Sequence, residues 1–422
     1  MNRALVIDTL HAVRRFCTWL DGYGETSYDH QSFFAGPIGR GAKALYYRRP
    51  LLGTAAVAPM IFCEAFLPAA RTLFWKPQRF PIADAHYAMG FAFLATLDGS
   101  GDYYRRAVHF LNILQQTRCP EYDEYCWGYP FAWQTRTGTI DADTPLITTL
   151  PYIYEAFSQV YAMDHDPKWL CVMASIAEHA FRAYRDIEVG PGAASCGYTP
   201  APDDPACVVN ASAYRAFLLT KAGIELSEPK YLEAARRNLN YVIAAQNEDG
   251  SWFYSTDGAR DFVDHFHTCF VLKALAKIQA LTGSPQYYSA IERGVRYYVN
   301  NLLDGQHLPI PFAKPPRITV YRRELYDYAE CINLALLLDA DFPELTVVLS
   351  KVVTDLLKRW QKRDGAFRTR ELLAGWDNVP MHRWAQSQMF RSLSFLLCRE
   401  LCGRANFFAD TEAQTSELSM GE

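Results

Sequence analysis

Four ionisable residues crowd one short stretch of the chain: Asp261, Asp264, His265 and His267. Asp264 and His267 stand three apart, so on a helix they share a face and can pair. A carboxylate that holds one imidazole tautomer is how a general base is oriented for proton transfer. The structural alternative is a helix cap at Asp261 beside a satisfied core histidine. Four such groups are costly to bury together, which argues for a cavity. A second cluster runs from Tyr321 to Glu330. There Arg323, Glu324, Asp327 and Glu330 could form a ladder along one face. Arg322 and Arg323 could clamp a carboxylate with parallel hydrogen bonds. Tyr326 could move a proton, and Tyr328 and its neighbours could stack on sugar rings. The alternative is a salt-bridged solvated face.

Three further stretches carry aromatic and polar groups. Cys126 to Asp143 holds Trp127, Tyr129 and Trp133, then Gln134, Arg136, Asp141 and Asp143. Asp143 precedes Thr144-Pro145 and reads first as a helix cap. Trp252-Phe253-Tyr254 is short, aromatic and strand-like, between turns at Asp249-Gly250 and Asp257-Gly258. His382, Arg383 and Trp384 open a later helix, with Trp384 as a sugar platform or as core. The catalytic candidates are therefore His265, His267, Tyr326, Asp264 and Asp327. The substrate-binding candidates are Trp127, Trp133, Arg136, Asp143, Trp252, Tyr254, Arg322, Arg323, Tyr328, His382, Arg383 and Trp384.

The elements that must position these residues are helices in pairs. Apolar spacing predicts an amphipathic first helix over Arg3 to Leu20. Pairs then follow at Ile82–Leu97 with Asp102–Gln116, Pro145–Ala162 with Pro167–Asp186, and Val208–Ala222 with Pro229–Gln246. Two more are Asp261–Thr282 with Pro285–Asn301, and Glu324–Leu338 with Pro343–Gln361. A last helix runs from Pro380 to near Leu401, and the first helix of the chain is its expected partner. Near-regular recurrence marks an array of helical hairpins. Turns inside a pair are short; loops between pairs are long and carry the candidates above, as functional loops on a rigid scaffold do.

Composition sets limits. The chain has 422 residues, half of them hydrophobic, and a formal net charge of −4. That balance gives no electrostatic case for nucleic acid. The eleven cysteines are scattered with no Cys-x-x-Cys pair, so reduced thiols in a cytosolic protein are expected and a zinc site is not. No secretory signal is visible in Met1 to Trp19. The most apolar stretch, Leu51 to Ala70, is interrupted by Gly53, Pro59, Glu64 and Pro68, which argues against a spanning helix and leaves docking on a membrane surface open. Phosphate-loop, dinucleotide, zincin and serine-hydrolase motifs are absent from the sequence; no cofactor is expected and no residue is assigned as a metal ligand, while metal use stays open.

Gln246-x-x-x-Gly250-x-Trp252 resembles the Gln-Trp repeat of terpene cyclase and prenyltransferase toroids, and Gln361-x-x-x-Gly365-x-Phe367 is a weaker copy. The stretches 126–134, 144–152, 264–268 and 381–384 make the chain look most similar to toroid proteins of bacterial polysaccharide clusters. Related toroids include unsaturated glucuronyl hydrolases, uronate lyases and glucuronyl epimerases. The resemblance implies an all-α fold: an α/α toroid of about six helical hairpins with short strands in the loops of one rim. It also implies a carbohydrate-active enzyme on a uronate-containing polysaccharide or oligosaccharide, by lyase or epimerase chemistry in preference to hydrolysis. A non-catalytic glycan-binding component of polysaccharide biosynthesis is the alternative. A terpene-cyclase-like enzyme is another, because Asp141-Ala-Asp143-Thr resembles that family's acid, with Asp143 as proton donor. The expected organisation is an N-terminal helix and irregular segment over 1–50, a toroid over 51–404 and a disordered acidic tail over 405–422. The expected partner is a glycan, with no nucleic acid and no transmembrane segment; the oligomeric state stays open. The expected location is cytoplasmic, with a membrane-peripheral position as the variant.

Overall fold

The structure is a computed structural model that describes residues 1–99, 101–316 and 319–403. The expected tail at 405–422 lies outside the described residues. The chain opens with α1 (Arg3–Tyr23). A helical excursion follows: α2 (Ser32–Ala35), α3 (Pro37–Arg48), α4 (Pro50–Phe66) and α5 (Arg71–Phe74). Then come five pairs: α6 (Pro81–Ala95) and α7 (Asp102–Gln116), α8 (Leu150–Asp164) and α9 (Pro167–Arg182), α10 (Val209–Glu225) and α11 (Pro229–Ala244), α12 (His265–Thr282) and α13 (Tyr288–Asn301), α14 (Leu325–Leu338) and α15 (Glu344–Asp355). A wide π turn at His382–Gln386 leads into α16 (Ser387–Cys402).

The even-numbered helices from α6 to α16 pack side by side, and α16 returns to α6 to close a ring. The odd-numbered helices α7 to α15 cover them from outside, and α1 packs on α15 and α16 to take the sixth outer place. Burial explains the two layers. α6 is buried without a break from Pro81 to Leu94, as a helix wedged between neighbours on every side must be. α7 buries only Ala107, Phe110, Leu111 and Leu114, a single stripe at helical spacing. Gly90 lets α6 and α16 close on each other, since a Cβ there would stand 2.5 Å from the Phe390 ring.

The Gln-Gly repeat is a clamp between one outer loop and the next outer helix. Gln246 Nε2 donates to Gly250 O at 3.0 Å and to Ala290 O at 2.9 Å, which ties the loop after α11 to α13. Gln361 Nε2 donates to Gly365 O at 3.0 Å and to Ala12 O at 2.8 Å, which ties the loop after α15 to α1. Gly250 has φ +92° and Gly365 φ +100°, and at each a Cβ would meet a backbone oxygen at 2.4 Å, on α13 and α1 respectively. The same clamp at both places shows that α1 completes the ring as its last outer helix.

Short antiparallel strands occupy the loops from an outer helix to the next inner one. They are β1 (Trp133–Gln134) with β2 (Thr139–Ile140), β3 (Asp186–Gly190) with β4 (Ala193–Cys196), β5 (Val263–Asp264) with β6 (Phe312–Lys314), and β7 (Tyr321–Glu324) with β8 (Arg370–Leu372) and β9 (Trp376–Asp377). All lie at the rim where inner helices begin. The eleven cysteines are free thiols.

Four local expectations are corrected. The segment Tyr28 to Pro50, expected to be irregular, is helical over Pro37–Arg48. α8 starts at Leu150 rather than Pro145, and Asp143 caps nothing: its backbone is left-handed at φ +58° and its side chain is exposed. α12 starts at His265, because Asp264, not Asp261, caps it by accepting from His267 N at 2.9 Å. Trp252-Phe253-Tyr254 forms no strand; one bridge, Val208 to Ser255, stands beside it.

Candidate active site

The cap of α12 does two things. Asp264 Oδ1 accepts from the His267 backbone and Oδ2 lies 2.6 Å from His267 Nδ1. Asp264 is buried, while the His267 side chain keeps 22% exposure. Among the described residues Nε2 of His267 has no hydrogen-bond partner. A carboxylate accepting from Nδ1–H leaves Nε2 as the lone-pair nitrogen, directed to the open side.

Around this imidazole runs a partly exposed aromatic basin. Tyr254 meets the His267 ring edge-on at 4.6 Å, and Phe266 lies 4.4 Å from it. Phe266 reaches Tyr326 at 5.0 Å, and Tyr326 stacks on Trp384 at 5.5 Å with 10° between planes. Arg383 is sandwiched between Trp384 at 3.6 Å and Tyr129 at 4.5 Å. Tyr129 continues to Trp133 at 6.2 Å. Burial, with Glu330 and Tyr152 nearby, pushes the Tyr326 phenol well above its ordinary range, so it acts only as a neutral donor or acceptor. Asp327 is pushed well above the carboxylate range by burial and by Glu324 and Asp264.

The floor is charged and closed. Tyr152 and Tyr214 share a hydroxyl contact of 2.6 Å. Beneath them Lys273 pairs with Glu330, and Lys277 pairs with Glu155 at 2.6 Å. Burial would raise the Glu155 carboxyl, but Lys277 and Arg391 hold it below its usual value. Lys277 is pushed down to about 8, by burial and then by Arg391 and Lys273 working against Glu155. The free space there is ≈ 10 Å³, room for about one water, so this floor is closed to anything larger. A larger concavity of ≈ 390 Å³ lies between α9 and α11, away from the dyad. Its charges are matched within the fold, Arg215 with Asp186 and Lys230 with Glu178.

The N-terminal excursion braces one wall. The Arg383 guanidinium lies 2.7 Å from both oxygens of Asp29. Arg370 bridges Glu324 at 3.1 Å and Glu64 at 2.7 Å, Arg71 reaches Asp377 at 2.5 Å, and His30 stands 3.6 Å from both Glu324 and Asp377.

The structure brings His267, Asp264, Tyr326, Asp327, Tyr254, Trp133 and Trp384 to this region. Several other candidates belong to the core instead. His265 is fully buried, with Nδ1 3.2 Å from Leu302 O and Nε2 3.1 Å from Tyr298 OH. Burial pushes it down to about 3, so it stays neutral. His382 sits behind the ring, between Tyr87 OH at 2.5 Å and Gly24 O at 3.0 Å, and burial takes it to about 4. Trp127 and Trp252 are buried with their indoles donating to Leu114 O and Val242 O, each at 2.9 Å. Tyr328 is buried against Asp355 at 2.8 Å. The expected ladder does not form: Arg323 pairs with Asp304 and approaches Glu371, Glu324 pairs with Arg370, and Glu330 with Lys273. Arg322 is exposed and donates to Leu373 O at 3.2 Å. Arg136 is exposed in the turn between β1 and β2, and Asp143 is exposed on the rim, which removes the terpene-cyclase reading. Sequence reasoning missed Tyr152, Tyr214, Lys273, Lys277, Glu155 and Arg391. Their signal was a polar residue on a helix buried on all sides, which demands an ionic partner.

A closed ring of inner helices inside a ring of outer ones, with an aromatic basin where the inner helices begin, defines the class: this is an α/α toroid. No protein-family model and no curated protein sequence matches the chain. Among solved structures it is similar to an unsaturated glucuronyl hydrolase specific for heparin, 11% identical, with a TM-score of 0.62 over 94% of this chain and 97% of that one. It is similar to cellobiose 2-epimerases from Bacillus thermoamylovorans B4167 (8% identical, TM-score 0.60, 76% of this chain and 88% of that one) and Spirochaeta thermophila DSM 6192 (14%, 0.59, 76% and 86%). At these identities the likeness is one of fold.

Proposed function

We propose that this toroid is a carbohydrate-active enzyme and that His267 moves a proton on the bound sugar. The observation that carries the reading is the Asp264–His267 pair, with Nδ1 held at 2.6 Å and Nε2 open to an aromatic basin. The basin rings supply faces on which sugar rings stack. Nε2 takes a proton from carbon next to a carbonyl, either of an open-chain sugar or of a uronate, and Asp264 stabilises the imidazolium that results. Tyr326, in the basin wall between Phe266 and Trp384 and with its phenol pushed well above the ordinary range by burial, is the donor for developing oxyanion charge. Epimerase, isomerase and lyase outcomes share this first step. That toroids of this fold include an epimerase, a D-mannose isomerase and a glucuronyl hydrolase supports a sugar as the substrate.

Hydrolysis by Asp264 and Asp327 is disfavoured, because Asp264 is committed to the cap and the imidazole while Asp327 is buried at 1% exposure, out of reach of a glycosidic bond. A preference for acidic sugars loses its expected anchor, since Arg323 and Arg383 are already paired with carboxylates. Neutral and acidic substrates therefore enter the same test. The protein is incubated in D2O with neutral disaccharides and with uronate oligosaccharides, and followed by NMR and ultraviolet absorbance. Deuterium at a sugar carbon without cleavage identifies an epimerase or isomerase; a new double bond identifies a lyase. New reducing ends without label would overturn the proton-abstraction reading. Sugar binding that survives His267→Gln, with no turnover by the parent chain, would identify a glycan-binding protein instead.

A further inference from the structure

The helical excursion between α1 and α6 exposes what the rest of the chain hides. Of the sixteen exposed large hydrophobic side chains among the described residues, eight lie here: Ile38, Leu51, Leu52, Phe62, Phe66, Leu67, Leu73 and Phe74. Leu51 is 91% exposed, Leu73 86% and Ile38 83%. On α4, Leu51, Ala55, Ala58, Phe62 and Phe66 recur at helical spacing and form one outward stripe. The opposite side of α4 packs on α3, where Gly53 lets the two helices touch: a Cβ would fall 2.0 Å from the Tyr46 backbone. α4 is thus apolar toward the protein and apolar toward solvent.

Charge identifies the occupant. From His30 to Cys63 the sequence holds Arg40, Lys43, Arg48 and Arg49 and no acidic residue, in a chain whose net charge is −4. Arg48 and Arg49 are exposed at the α3–α4 corner, next to Leu51 and Leu52, and Lys76 is exposed beside Phe74. Among the described residues these three make no ion pair. The acids that flank the segment are occupied: Asp29 by Arg383 and Glu64 by Arg370. Among the described residues no single helix is long and apolar enough to cross a membrane; α4 and the segment Pro68–Phe74 reach that length and apolarity only together, and they bend by 120° at the break between them. A short apolar stripe with cations at its ends, lying along a surface, matches the interface of an anionic lipid bilayer. A second copy docked symmetrically would bring two basic patches without acidic residues together, with no carboxylate in either to match the other's cations.

We infer that α3 to α5 form a docking surface for anionic membranes. The excursion that carries the surface also packs on β1 and braces Arg383, so docking holds the aromatic basin close to the lipid. This inference stands whether or not His267 is catalytic.

The test is flotation of the full chain with phosphatidylcholine vesicles and with phosphatidylcholine–phosphatidylglycerol vesicles. The anionic vesicles are expected to carry the protein roughly tenfold better, with the advantage lost at high salt. Arg48→Glu with Arg49→Glu, and separately Leu51→Glu with Leu73→Glu, are each expected to reduce flotation roughly tenfold. All four side chains are exposed, so circular dichroism and Tm should hold. Equal indifference to both vesicle types, or flotation untouched by both double variants, would overturn the inference. So would a dimer in sedimentation velocity that Leu51→Glu with Leu73→Glu dissociates while vesicles stay unbound; the face would then be a self-interface.

Discussion

Two histidines open α12, and they have opposite fates. Residues two apart on a helix point about 200° away from each other. His267 turns toward the basin and keeps one ring nitrogen free; His265 turns outward into α13 and spends both on Leu302 O and Tyr298 OH. One imidazole is held by a carboxylate and can take a proton. The other is held by a carbonyl and a phenol, in a site where charging it is costly. The difference shows that a histidine's chemistry follows from what its second nitrogen meets, which local sequence does not encode.

The sharpest way to break this comparison is to remove each ring in turn. His267→Gln should lower turnover by about 10²–10⁴-fold with little change in Tm. His265→Ala should do the reverse, costing about 2–4 kcal/mol of stability in a urea titration while activity per folded molecule holds. If His265→Ala proves inactive when fully folded and His267→Gln does not, the assignment is inverted.

The next effect separates the two tasks of Asp264. Asp264→Asn keeps an oxygen for the His267 N–H, so folding should hold while turnover falls roughly tenfold or more as the imidazolium loses its charged partner. Asp264→Ala should lose the cap as well, about 1 kcal/mol more by thermal melt. Equal activity for Asn and the parent would show that the carboxylate charge plays no part.

The buried ring also carries a pH signature. The folded value of His265 is depressed to about 3, so only the unfolded chain takes up its proton as pH falls below 6.5. Its contribution is therefore present above 6.5 and lost through the window from 6.5 down toward 3, by about 1.4 kcal/mol per pH unit. The stability gap between the parent and His265→Asn should narrow by that slope on acidification. Buried carboxyls with raised values, such as Asp84 at about 7, push the other way but do so in both chains and cancel. A gap that does not change with pH would mean His265 titrates freely.

The smallest expected effect compares two tryptophans. Trp384→Ala should raise the Kd for sugar by roughly tenfold through loss of the ring that holds Tyr326 and Arg383 in the basin wall. Trp127→Phe should leave sugar binding alone and cost about 1 kcal/mol of stability, the bond to Leu114 O. Isothermal titration with the substrate found in the deuterium assay reads the first, and a urea midpoint reads the second.

Much of the ring was legible. Helical spacing marked the inner and outer helices, and the Gln246 and Gln361 repeats marked two of their junctions. The pairing of Asp264 with His267 was legible too, because three-residue spacing is a local property. The arginines were not. Arg383 meets Asp29 across 354 residues, and Arg370 meets Glu64 across 306. Nothing near either residue in the chain announces such a partner, so both look free for a ligand. The tryptophans misled for a related reason: Trp127 sits in a loop and Trp384 in the π turn before α16, both among polar residues, and only packing decides that one is core and the other wall.

By itself, then, the sequence determined the alternation of helices, the junction repeats and the short-range dyad, since periodicity and neighbour spacing are set by backbone geometry. Tertiary structure alone decided which imidazole is open, which cations are already matched and which aromatic rings line the basin. Those depend on side chains brought together by ring closure, where desolvation and pairing act between residues hundreds of positions apart.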